Sequence, residues 1–104
     1  FILLVTEPTP FGLNDLKLAH ETVKQLAVPC GLVINRANLG DHSVQEYAAA
    51  NDLPILLEIP FSKNIAELYS RGILLVEKDP VWAATFQELF GTIKNCAELE
   101  RSKA

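Results

Sequence analysis

Three short apolar runs alternate with segments of helical periodicity, and this alternation restricts the chain to few folds. The runs are Phe1–Val5, Cys30–Ile34 and Leu53–Ile59. Continuous apolar runs of this kind are typical of strands covered on both faces in a parallel sheet. Because strands that alternate with helices indicate an α/β protein, we predict a three-layer fold with a mostly parallel sheet flanked by helices. We expect one domain over residues 1–104.

Two helices are predicted between these strands. From Leu13 to Ala27 the apolar residues recur at three- and four-residue steps, which predicts an amphipathic helix that Pro29 closes. The segment Ser43–Glu46 fits a capping box, in which the Ser43 hydroxyl accepts from a backbone amide and Glu46 reaches back. It predicts a second, shorter helix.

The sequence pattern of the C-terminal part predicts two further helices. Ser62 is placed to cap one of them, and Gly72 is placed to end it in a left-handed turn. Ile73–Val76 fits a brief strand or extended segment. The pair Asp79-Pro80 fits the start of a last helix, because proline suits the first helical position.

Composition excludes several classes of partner. The chain has a formal net charge of -4 and no Lys/Arg cluster, so we expect no nucleic-acid binding. Its longest uncharged apolar-rich stretch, Gln25–Asn35, is shorter than the roughly 20 residues of a membrane-spanning helix. The residues from Phe1 onward do not have the pattern of a signal peptide, and the chain contains no Met. We therefore expect a cytoplasmic protein, present here as a fragment.

No residue pattern indicates catalysis or a metal site. Cys30 and Cys96 lie far apart and lack the spacing of metal ligands, so we expect two reduced, buried thiols. The carboxylates of Glu7 and Asp15 could form an acid/base pair, or could lie exposed near a helix N-terminus. A Walker A loop is absent from the sequence, so this chain has no such loop to cradle phosphates.

Binding residues are expected directly after the strands, because ligands of open α/β sheets bind beyond the carboxyl ends of the strands. Asn35 carries an amide that matches the N6/N7 edge of adenine. Alternatively, Asn35 ends its strand through a local backbone bond. Pro60-Phe61 could present a wall and a stacking face to a flat base, or could terminate the strand and complete the core.

Four stretches together carry a resemblance to a known family: "FILLVTEPTPFGLNDLKLA", "CGLVINRANLGD", "LPILLEIPFSKNIAELYSRGILLVE" and "DPVWAATFQELF". They resemble the C-terminal half of P-loop ATPases of the MinD/ParA type. More narrowly, they resemble the MinD-superfamily ATPases with an inserted ferredoxin domain. These proteins are also described as cobyrinic acid a,c-diamide synthase-like or CobQ/CobB/MinD/ParA nucleotide-binding domains. The resemblance covers almost the whole chain and implies a partial P-loop NTPase fold that lacks the N-terminal phosphate-binding half.

The resemblance also implies roles for particular residues. In that family the residue matching Asn35 contacts the adenine, and Arg36 would flank the base or the dimer face. The residues implied to line the base pocket are Pro60, Phe61 and Ser62, and those implied to make interface or switch contacts are Glu7, Pro8 and Asp15.

The family's phosphate-binding loop, its Mg²⁺-coordinating acidic residues and its ferredoxin insert all belong upstream of this sequence. The resemblance therefore implies ATP, Mg²⁺ and iron–sulfur clusters for the intact protein, and no cofactor or ATPase activity for this fragment. We expect self-association, as a homodimer or through exposed apolar faces, and a redox or iron–sulfur partner. Two alternatives remain open: a non-catalytic α/β interaction module, and part of a cobyrinic acid a,c-diamide synthase-like biosynthetic enzyme.

Overall fold

Strands and helices alternate along the chain, as the sequence predicts. The computed structural model describes residues 1–72 and 80–102. The described elements are β1 (Ile2–Thr6), α1 (Pro10–Leu26), β2 (Cys30–Asn35), α2 (Ser43–Ala50), β3 (Ile55–Ile59), α3 (Lys63–Ser70) and α4 (Pro80–Ser102). The prediction of an α/β fold with a parallel sheet flanked by helices is confirmed. The strand predicted over Ile73–Val76 lies outside the described residues.

The sheet has three strands in the order β1-β2-β3, and both pairs are parallel. In the first pair the register runs from Ile2 opposite Cys30 to Thr6 opposite Ile34. In the second pair Asn35 lies opposite Ile59, after a register shift next to Leu32. All three carboxyl ends therefore meet at one edge of the sheet.

The core lies on one face of the central strand. It combines Leu32 and Ile34 of β2 with residues from both flanking helices, namely Leu16 of α1 and Val44 and Ala48 of α2, and with Leu53. Leu32 and Ile34 are fully buried and, as residues two apart, point to the same face. Helices α1 and α2 thus cover the same side of the sheet, as successive right-handed crossovers require.

The chain divides into two compact units, Phe1–Pro60 and Phe61–Ala104. The first holds the sheet with α1 and α2. The second holds α3, which Ser62 caps by accepting from the Ile65 amide at 3.1 Å, and α4. A left-handed Gly72 follows α3, as predicted. The single domain predicted over residues 1–104 stays a prediction.

Two helix starts differ from those predicted. Helix α1 begins at Pro10 rather than Leu13, because the Thr9 Oγ1 accepts from the Gly12 amide at 3.0 Å and Pro10 takes the first helical position. The capping box predicted at Ser43 is wrong. Its hydroxyl instead donates to Asp41 Oδ1 at 2.6 Å, and the same oxygen accepts from the Ser43 amide at 3.0 Å. This is an Asx turn, which competes with the capping box for the same hydroxyl.

Within the described ranges, 1–72 and 80–102, no helix combines the length and the apolar character that crossing a bilayer demands.

A buried histidine links α1 to α2. His20 is 4% exposed, and its Nδ1 lies 2.9 Å from the Tyr47 hydroxyl. The two rings meet edge to face, with their centroids 5.8 Å apart. Lys17 Nζ lies 6.0 Å from the centre of the Tyr47 ring. Burial lowers the pKa of His20, Lys24 lowers it further, and Glu21 opposes the shift.

This lowered pKa predicts a pH dependence of stability. The unfolded histidine titrates near 6.5 and the folded one below it, so protonation stabilises the unfolded chain first. The contribution of His20 to the free energy of unfolding should be fully present above about pH 6.5. It should fall as the pH drops from there toward the pKa of the folded state. Urea unfolding of the wild type at a series of pH values between 5 and 8 measures it.

His42 supplies the matched control, because it is the other histidine of the chain and lies exposed. We expect His20→Gln to remove this component of the pH dependence and His42→Gln to retain it. An unchanged profile in His20→Gln would contradict the assignment.

The end of α1 predicts a stabilising substitution. Ala27 adopts a left-handed conformation with φ 54°, and its amide donates to the Lys24 carbonyl at 3.2 Å. Glycine carries no Cβ penalty there, so Ala27→Gly should raise the free energy of unfolding by about 1 kcal/mol. Ala84→Gly, at an exposed position inside α4, should lower it by a similar amount. Urea unfolding of both variants tests the pair, and destabilisation by Ala27→Gly would refute the argument.

Candidate functional site

A cavity of about 430 Å³ opens at the carboxyl ends of β1 and β2. Its lining combines the end of β1, the β1–α1 loop, the first turns of α1 and the last residue of β2: Val5, Thr6, Glu7, Thr9, Phe11, Gly12, Asp15 and Asn35. We call it the carboxyl-edge cavity. It brings together three residues that the sequence predicted from two separate stretches, Glu7 and Asp15 from the first and Asn35 from the second.

Hydrogen bonds of two threonines shape the wall of this cavity. Thr6 is buried, and its hydroxyl donates to the Gly12 carbonyl at 3.0 Å. The Thr9 hydroxyl accepts from the Gly12 amide. Both hydroxyls therefore hold the loop against the start of α1. Neither was predicted as a site residue, although a Thr-Pro pair after a strand is a recognisable helix-start signal.

Asn35 makes the local bond that one of its two interpretations expects. Its Oδ1 accepts from the Arg36 amide at 3.1 Å. A carbonyl oxygen has two lone pairs, so this bond leaves one of them and the two amide hydrogens for a ligand. The local bond and a ligand contact are thus compatible, and the bond fixes the orientation of the amide.

Arg36 lies beside Glu7, with Nε 3.7 Å from Oε1. The side chains are 54% and 46% exposed, so water and salt screen the pair, which contributes about 0–1 kcal/mol. Arg36 also adopts a left-handed backbone with φ 53°, which costs a non-glycine residue about 1–2 kcal/mol. The ion pair alone does not offset that cost.

Phe11 is the aromatic residue of the cavity lining, and it is 83% exposed. An exposed aromatic ring in the first turn of a helix offers a flat face to a ligand. The sequence did not single out Phe11. Its exposure depends on where α1 begins, and the predicted start at Leu13 left Phe11 in the loop.

The second group of predicted site residues is placed differently. Pro60 lines another cavity, of about 510 Å³, with Ala37, Asn38, His42, Gln45 and Glu58. Phe61 is 39% exposed, and Ser62 caps α3. Pro8 is buried in its loop. Asn35 and Pro60 thus follow neighbouring strands without lining the same cavity.

The lining of the carboxyl-edge cavity presents carboxylates and an amide. The carboxylates belong to Glu7 and Asp15, and the side-chain amide belongs to Asn35. Among the residues that the structure describes, no group of three or more His, Cys, Asp or Glu side chains could hold a metal ion. The arrangement favours a ligand that presents hydrogen-bond donors and a flat ring.

Comparison with known proteins gives one relative of undescribed activity. The chain is 35% identical over 71 residues to an uncharacterized protein of Methanocaldococcus jannaschii, MJ0579. The match covers 68% of this chain and 23% of that protein, so the chain spans about a quarter of the relative's length. No family model and no solved structure matches the chain.

Proposed function

We propose that this chain is the C-terminal, adenine-side part of a MinD/ParA-type P-loop ATPase, as its sequence resemblance implies. It would form part of a three-layer P-loop NTPase fold whose phosphate-binding loop lies outside these 104 residues. The intact protein would bind ATP and Mg²⁺, and a ferredoxin insert would carry iron–sulfur clusters. The observation that supports the proposal most is that Asn35 and the exposed Phe11 line one cavity at the carboxyl edge of the sheet.

The amide of Asn35 suits adenine in particular. Its Oδ1 keeps a lone pair for the N6 amino group, and its Nδ2 donates to N7. Guanine presents two acceptors, O6 and N7, at the same edge, so the Asn35 oxygen would face another oxygen. The site would therefore prefer ATP to GTP.

The cavity's charge supports a model in which another part of the intact protein holds the phosphates. Glu7 and Asp15 line the cavity, and no lysine does. A triphosphate placed against two carboxylates would be repelled, since like charges a few ångströms apart disfavour each other. The base would therefore occupy this cavity with its phosphates directed away, toward the half that the resemblance assigns upstream.

Asn35→Ala in the full-length gene product tests the proposal. Removing a bidentate contact to a base costs about 1–3 kcal/mol, so the Kd for Mg-ATP should rise about 5- to 150-fold. The weaker affinity for Mg-GTP should change little, because that nucleotide does not use the contact. Titration calorimetry with both nucleotides measures the two changes.

Asn38→Ala is the matched control, because Asn38 lies in the loop directly after Asn35 and lines the other cavity. It should leave the affinity for Mg-ATP unchanged. A loss of affinity in Asn38→Ala with none in Asn35→Ala would assign the base to the cavity of Pro60. Absence of Mg-ATP binding by the wild-type full-length product would refute the proposal.

A second candidate function, a protein-interaction module, is favoured by an apolar stripe on α1. Phe11, Leu18 and Leu26 are 83%, 70% and 59% exposed. At 3.6 residues per turn their positions fall within about 80° of arc, opposite the buried Leu16, His20 and Val23. In this second proposal, the three exposed apolar side chains would form a contact surface for another protein or a second copy.

Leu18→Glu tests this surface in the 104-residue chain. We expect the wild type to self-associate as its concentration rises. The variant should need a protein concentration at least about tenfold higher to reach the same degree of association, because burying a leucine contributes about 1.5–3 kcal/mol. Sedimentation velocity measures the difference. Lys24→Gln changes the net charge by the same amount away from the stripe and should behave as the wild type; equal loss in both variants would assign the effect to charge.

A further inference from the structure

The β1–α1 and β2–α2 loops meet backbone to backbone at Gly40 and Pro8. Gly40 has φ +71°, and a Cβ added to it would overlap the Pro8 carbonyl oxygen. Pro8 is buried although it lies in a loop, where prolines are mostly exposed. A side chain at position 40 would force the two loops apart.

This contact completes the attachment of the β2–α2 loop. At its start the loop is tied to β3, since the Ala37 amide donates to the Ile59 carbonyl at 2.9 Å. A turn follows, in which the Leu39 amide donates to the Arg36 carbonyl at 3.0 Å. The loop is thus fixed at Ala37 on one side and at Gly40 on the other, and Arg36 lies next to the first of these points.

The Arg36–Glu7 pair joins the same two loops but is too exposed to fix them. Its atoms are 3.7 Å apart and its side chains are about half exposed, where screening by water leaves little net attraction. The close backbone approach, by contrast, is a steric constraint that salt does not weaken.

We infer that Gly40 is a positioning residue for the carboxyl-edge cavity. By admitting Pro8, it sets where Asn35 and Arg36 lie relative to Glu7, so the two loops behave as one unit. Residue 40 touches no ligand in this scheme and acts through the loop that directly follows Asn35, the last residue of β2. The consequence for nucleotide affinity rests on the proposed function, whereas the coupling of the loops does not.

Amide hydrogen exchange of the 104-residue chain tests the coupling. The probes are the Thr9 amide, which donates to the Glu7 carbonyl at 2.9 Å, and the Leu39 amide in the other loop. The reference is the Leu32 amide in β2, which donates to the Pro54 carbonyl. In Gly40→Ala we expect exchange at both probes to accelerate at least tenfold while the reference rate holds.

Gly72→Ala is the matched control. Gly72 has φ +72°, and no atom of the described residues lies within 4 Å of an added Cβ, so the variant incurs the same backbone strain without a clash against them. It should leave both probes unchanged. Acceleration at Leu39 without acceleration at Thr9 would overturn the inference, and so would equal acceleration at Leu32, which indicates general destabilisation.

Pro8→Gly approaches the contact from the other side, and it serves if Gly40→Ala fails to fold. The backbone carbonyl of position 8 remains, but the variant removes the proline Cβ that faces Gly40 and the ring that fixes φ, so the β1–α1 loop no longer holds that carbonyl in place. It should accelerate exchange at Leu39, in a loop remote from the substitution along the chain. An unchanged Leu39 rate would overturn the inference.

The functional consequence is measured in the full-length gene product. Gly40→Ala should raise the Kd for Mg-ATP at least fivefold, and Gly72→Ala should not. If Asn35→Ala leaves the Mg-ATP affinity unchanged, the proposed function fails while the exchange experiment still decides the coupling. If Asn35→Ala weakens binding and Gly40→Ala does not, the positioning role fails and the proposed function stands.

Discussion

The burial of β2 is the constraint on which the rest of the structure depends. Leu32 and Ile34 are fully buried, and the burial of each side chain stabilises the fold by about 1.5–3 kcal/mol relative to exposure. Residues of α1 and α2 pack against them on one face of the sheet. Because β2 pairs in parallel with both neighbours, the three strands end at the same edge. The pairing brings the polar groups that follow the strands to one edge, and the contacts between the loops then set their relative positions.

The edge itself is stabilised by small contributions that have to act together. Arg36 adopts a left-handed backbone conformation, which costs about 1–2 kcal/mol. The bond from its amide to Asn35 contributes about 0.5–1.5 kcal/mol, and the exposed pair with Glu7 contributes about 0–1. Only taken together are the two stabilising terms comparable to the cost of the left-handed backbone, so the local conformation depends on both Asn35 and Glu7. The amide of Asn35 thus has a structural role and a ligand-facing capacity at once.

The sequence predicted the elements well and their starts less well, for a physical reason. Continuity of apolar residues predicts β1, β2 and β3, because an apolar run extends over several positions, although only β2 is buried along most of its length. A helix start depends on which of several nearby polar side chains accepts a hydrogen bond from a given backbone amide. At the starts of α1 and α2 the acceptors are Thr9 and Asp41, which the sequence pattern did not predict. Likewise, no local pattern could pair Gly40 with Pro8. That contact requires the register between β1 and β2, which only the folded sheet supplies.

In the proposed function, the contacts at the carboxyl-edge cavity would recognise the base but would not by themselves hold a nucleotide tightly. A contact from Asn35 to a base would contribute about 1–3 kcal/mol, and stacking on an aromatic ring such as Phe11 about 1–3 more. Their sum, about 2–6 kcal/mol, brackets the roughly 4 kcal/mol of a millimolar Kd. Micromolar affinity requires about 8 kcal/mol, and the carboxylates of Glu7 and Asp15 supply nothing toward a triphosphate. The remaining free energy has to come from groups that bind phosphate, so a base-specific edge of this kind is useful only when it is joined to a separate phosphate-binding half.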